Sequence, residues 1–133
     1  MARSYCHQAE QSVDQAVAAL EKGATGLTVR RAQEAVELAL KAALRSIGVE
    51  PPKWHDVGEI LREHRGKFAA PFAARIDEFA EHSSVLRERR ELSLYGNEST
   101  GQNADDLFGK PEAEEALGWA REIVAAVKAI QPG

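Results

Sequence analysis

Every periodic run of apolar residues in this chain advances by three or four positions, the step of an α-helix. No alternating run of the kind a half-buried strand needs is present. In the first segment Ala9, Val13, Ala16, Val17 and Leu20 follow that step, and Gly23 supplies a stop. The second runs from Thr28, read as an N-cap, through Val29, Ala32, Val36, Ala39, Leu40, Ala43 and Ile47. Gly48 then occupies the place of a left-handed terminator, and Pro51-Pro52 forbids continuation. Its alanine-rich stripe lets a neighbouring helix approach closely. A short third helix opens on Asp56 as N-cap, with Glu59 at the capping-box position and Val57, Ile60 and Leu61 along one edge. Pro71 fits the first turn of a long fourth helix carrying Phe72, Ile76, Phe79, Leu86 and Leu94. The last helix begins near Pro111, with Glu112, Glu114 and Glu115 at its positive end, and buries Ala113, Leu117, Ala120, Ile123, Val124, Val127 and Ile130. The expected architecture is all-α: one domain over residues 1–133, an antiparallel bundle of four long helices plus one short helix.

A chain of 133 residues can bury roughly two-thirds of its unfolded surface, so a core needs neither disulfide nor metal. The single cysteine, Cys6, cannot form an internal bridge and suits a reducing compartment. No charged-then-apolar leader opens the sequence, and no apolar run approaches the ~18 residues of a membrane span. The expectation is a soluble, cytoplasmic protein. Its net charge of −4 argues against a surface coated in phosphate contacts but leaves room for a local cationic site.

Two such clusters exist: Arg62, Arg65 and Lys67, and, in "ERRELSLYG" with the residue before it, Arg87, Arg89 and Arg90. Glu88 and Glu91 dilute the second, and the bland reading is a solvated helical face with intrahelical ion pairs. The cluster nevertheless leads directly into "GNESTGQNADDLFGK", residues 96–110, an unusually long connection for a compact domain and one commonly functional. Arg90 continues the apolar stripe through Ile76, Phe79, Ser83 and Leu86, so its cation either packs its aliphatic stem or faces a cleft. Arg87, Glu91 and Tyr95 follow one another at steps of four and can form a local line on one face. Tyr95 can stack on a base or close the end of the bundle.

The stretch "AQEAVELALKAALRSIGVEPPKWHDVGEIL", residues 32–61, resembles the HEPN family of small all-helical domains. The likeness lies in an Ala/Glu-rich helix, a Gly-Val-Glu-Pro-Pro turn and His55-Asp56 opening a short helix. The closing "LRERRELSLYG" resembles the same family's arginine-containing helix end followed by an aromatic. The resemblance implies a helical bundle that pairs as a two-fold homodimer. Active members of that family are ribonucleases, often toxins of toxin–antitoxin pairs; others pair with a minimal nucleotidyltransferase or are proposed to bind nucleotides or RNA. The ribonucleases carry an arginine followed, after four to six residues, by a histidine, and both halves of the dimer contribute to one cleft. Arginine there stabilises growing phosphate charge, and histidine moves a proton near neutral pH.

That pairing is missing where the resemblance places it. The eligible positions after Arg87, Arg89 and Arg90 are Leu92, Ser93, Leu94, Tyr95, Gly96 and Asn97, and the four histidines are His7, His55, His64 and His82. Arg75 and His82 do meet the spacing, with six residues between them on one helical face, but two turns too early. A tyrosine, with an unperturbed pKa of about 10, is a poor substitute proton shuttle. His55-Asp56 does not make a metal site without further ligands on other helices, and Cys6-His7 makes neither a zinc site nor an activated thiol. No Gly-rich phosphate loop occurs. The sequence therefore points to a binding domain without cofactor or metal. Arg87, Arg90, Tyr95 and His55 are its candidate contacts to nucleotide or RNA phosphate, with a nucleotidyltransferase as the partner the resemblance implies. The rival readings are a metal-independent endoribonuclease of divergent motif using Arg75 and His82, and a purely structural partner-binding module.

Overall fold

The computed structural model describes residues 2–51, 53, 56–95 and 108–131, with the backbone alone at 2, 3 and 93–95. Six helices appear among these described residues: α1 Ala2–Glu21, α2 Thr25–Ser46, α3 Val57–Glu63, α4 Ala70–Ala73, α5 Ile76–Tyr95 and α6 Lys110–Ala129. A 3₁₀ turn at Arg65–Lys67 links α3 to α4. Among the described residues there is no strand, and no helix is long and apolar enough to cross a membrane.

The four long helices expected from periodicity are α1, α2, α5 and α6. Two boundaries differ from the sequence reading. α2 starts one turn earlier, at Thr25, and the Thr28 hydroxyl donates to the Ala24 carbonyl at 2.9 Å instead of capping the helix. Pro71 opens a separate single turn, α4, because the chain turns at Ala74 and Arg75 before α5 begins. The short part of the bundle is thus three pieces and not one. A ladder of Phe68, Phe72 and Phe79, with ring centroids 4.8 and 5.8 Å apart, fixes α4 against α5.

α2 ends as its sequence demands. Gly48 adopts φ +80°, Val49 N–H donates to Leu44 O and Gly48 N–H to Arg45 O, both at 3.0 Å. This paired closure satisfies carbonyls that the helix end would otherwise strand. The same bonding pattern ends α1 at Gly23. The Arg45 guanidinium lies 4.3 Å from the Tyr5 ring centroid, so the end of α2 returns to the start of α1. Thr25 Oγ1 donates to the Phe108 carbonyl, holding the start of α2 to the entry of α6.

α2 is the central element. It packs against α1, α5 and α6, and Val29, Ala32, Ala35, Val36, Ala39, Leu40, Ala42, Ala43 and Leu44 are all but fully buried. Ala35 and Ala42 lie off the single stripe read from the sequence, because α2 has neighbours on more than one side. Phe79, Ile76, Leu86 and Ile123 complete the core from α5 and α6.

Candidate functional site

α5 carries Arg87, Arg90, Tyr95 and His82, with Arg75 in the turn just before it, and its buried face determines where Arg87, Arg89 and Arg90 go. Ile76, Phe79, Ala80, Ser83 and Leu86 are buried. Arg90, next on that stripe, reaches the flank of α2: its Nη1 donates to Gln33 Oε1 at 3.1 Å, and its Nη2 lies 3.8 Å from Glu34 Oε1. Glu34 is held in turn by Arg31 Nη1, 3.1 Å from both carboxylate oxygens. Arg90 therefore continues the stripe to the margin of the core, its head partly exposed beside Gln33 and Glu34.

Arg87, one turn earlier, meets α3. Its Nη2 lies 3.5 Å from Asp56 Oδ1, the atom that also caps α3 by accepting from Gly58 N–H at 2.9 Å. The cap is the one read from the sequence; Glu59, expected to complete a capping box, bonds Arg62 instead at 3.0 Å. α3 comes this close because Gly58 has no side chain: a β-carbon there would stand 2.9 Å from Ala80 Cβ and 3.1 Å from its Cα. Arg87 thus turns across to Asp56 and not along the helix toward Glu91, as the local line had it. Tyr95 ends α5, but its side chain, like His55 and residues 96–107, lies outside the described residues.

Arg89 takes a third direction. Its Nη2 donates to Glu115 Oε1 at 2.8 Å and its guanidinium sits 5.2 Å from the Trp119 ring centroid, which commits it to joining α5 and α6. The three neighbouring arginines therefore serve α3, α6 and α2 respectively. Of these, Arg87 and Arg90 are each 35 % exposed and Arg89 only 22 %.

Arg75, in the turn just before α5, and His82, on α5, both face α6. Arg75 holds Glu78 through Nε at 3.3 Å and Nη2 at 2.8 Å and reaches Glu122 at 3.5 Å. The hydrogen bond with Glu78 raises the guanidinium pKa and lowers that of the carboxyl. His82 stacks flat on Trp119, centroids 4.2 Å apart and planes 9° apart, with Nδ1 buried. In this arrangement Arg75 is an ion-pair member and His82 a packing group between α5 and α6.

Other titratable groups offer less. Burial, then the nearby Glu10, raises the Cys6 thiol pKa, so the thiolate that would react is disfavoured. His64 is bonded through Nδ1 to the Ile60 carbonyl at 3.0 Å. The described residues contain no group of three or more His, Cys, Asp or Glu side chains able to hold a metal.

Sequence reasoning missed Gln33, although a signal was available. Val29, Gln33, Val36 and Leu40 share the four-three-four step of the buried stripe, so an uncharged polar side chain stands at a core position. It is 2 % exposed.

An all-helical domain with a surface arginine pair on one helix and a cap-held short helix beside it is the class these observations define. The HEPN domain family model matches residues 2–130, and the chain belongs to the HEPN family. The fold is similar to that in the crystal structure of TT1696 from Thermus thermophilus, with a TM-score of 0.76, 24 % identity and 97 % of each chain covered. No curated protein matches the chain.

Proposed function

We propose that this HEPN domain binds and does not cut: a two-fold pair of chains meets nucleotide or RNA phosphate with Arg87 and Arg90, flanked by Tyr95 and His55. The carrying observation is that both arginines stand at the surface of α5, each against a carboxylate that is itself about one-third exposed, Asp56 at 32 % and Glu34 at 31 %. Ion pairs this exposed contribute only ~0–1 kcal/mol. A phosphate group, which accepts charge-assisted bonds from a guanidinium fork, can displace them. The negative net charge suits such a local pocket better than a continuous nucleic-acid track. The absence of histidine four to six residues beyond Arg87, Arg89 or Arg90 supports loss of the cutting step. Association with a nucleotidyltransferase rests on the family alone.

The test is the double substitution Arg87→Ala with Arg90→Ala. Salt-sensitive binding of a single-stranded RNA or of ATP should be abolished while the circular dichroism spectrum stays helical. Unchanged binding removes the site. A cleavage assay in EDTA should show intact RNA; cleavage that disappears with His82→Ala would replace this reading with the ribonuclease one.

A further inference from the structure

Gln33 is almost wholly buried, and both ends of its amide meet charged side chains. Its Oε1 accepts from Arg90 Nη1 at 3.1 Å, and its Nε2 donates to Glu37 Oε2 at 3.0 Å. Guanidinium can only donate and carboxylate can only accept, so the amide has one orientation and no useful flip. Glu37 is anchored on its other side by Lys41, with Nζ 3.8 Å from Oε1. Residues 33, 37 and 41 follow each other at one-turn steps along α2, which makes a rigid row ending on Arg90. An amide in this place adds a directed hydrogen bond without adding a negative charge. A carboxylate of the same size would hold Arg90 as firmly but would supply the counter-ion that a phosphate must otherwise provide.

We infer that Gln33 is the positioning residue of Arg90, holding one fork of its guanidinium against α2 so that the charge is presented to a phosphate without a further acid beside it. This rests on the reading that Arg90 meets phosphate. The experiment compares wild type, Gln33→Glu and Gln33→Met, each alone and combined with Arg90→Ala, using a labelled single-stranded RNA of mixed sequence as probe. Gln33→Met should weaken binding by about three- to tenfold, the usual net worth of one intramolecular hydrogen bond. Gln33→Glu should weaken it at least as much and flatten the slope of log K against log salt by about 0.7, the contribution of one phosphate contact on a single strand. In the Arg90→Ala background neither substitution should change binding further. Equal effects with and without Arg90, or unchanged binding by Gln33→Glu, overturn the inference. If wild type binds no RNA, the phosphate reading falls, and positioning is then read from solvent exchange of the Arg90 side-chain N–H groups by NMR. Faster exchange in Gln33→Met supports it; unchanged exchange overturns it.

Discussion

Asp56→Asn separates structure from charge at the Arg87 end of the site. Asparagine caps a helix about as well as aspartate, so the bond from Gly58 N–H, 2.9 Å long in the native chain, survives. Stability should change by no more than ~1 kcal/mol, the most that an ion pair of this exposure contributes. What disappears is the carboxylate charge 3.5 Å from Arg87 Nη2, with both partners about one-third exposed. At that distance unit charges attract by about 1 kcal/mol in water, and measured pairs of this exposure fall near ~0.2–1 kcal/mol. A phosphate competing for Arg87 no longer has to displace that pair. Affinity should therefore rise by up to about fivefold, given tenfold per ~1.4 kcal/mol. The assay is fluorescence anisotropy with a labelled single-stranded RNA across a salt series, beside a thermal melt. The direction matters most, because damage to the fold lowers affinity. A variant that melts like wild type and binds RNA equally or less well refutes the placing of Arg87 at the phosphate.

Gly58→Ala should destabilise the domain by about 1–3 kcal/mol in urea, since its new methyl meets the Ala80 backbone as well as its side chain. Adding Ala80→Gly should recover part of that loss. Asp77, exposed at the surface, has its carboxyl pKa lowered by hydrogen bonds from Arg65 first and Arg62 next. A lowered folded-state pKa gives stability that is present above the usual aspartate value of about 4 and is lost as pH falls through the folded value. The urea midpoint of Asp77→Asn should fall less steeply on acidification than that of wild type; parallel curves refute the linkage.

Much of the bundle was legible because its signals are local. The Gly48 closure and the Asp56 cap each need only a few neighbouring residues, and both are found as read. The start of α2 was not legible: Thr28 looks like a cap in isolation, but Phe108, far along the chain, takes the Thr25 hydroxyl bond and holds the earlier turn in place. The arginines show the same division. That Arg90 sits at the margin of the core follows from the stripe through Phe79 and Leu86. That Arg87 meets Asp56, and Arg89 meets Glu115, depends on which helices lie beside α5, and periodicity within one helix carries no such information.

The alanine surface of α2 has a bearing on how such a chain can drift over generations. Ala32, Ala35, Ala39, Ala42 and Ala43 have no exposed area, so enlarging any of them forces apart two rods that now nearly touch. Because Gln33 rides on the same shaft, a wedge inserted there would also alter the reach of the guanidinium it steadies. Constraint from the fold and constraint from the proposed phosphate contact thus fall on one strip of α2, while the outer helix faces are left at liberty to diverge.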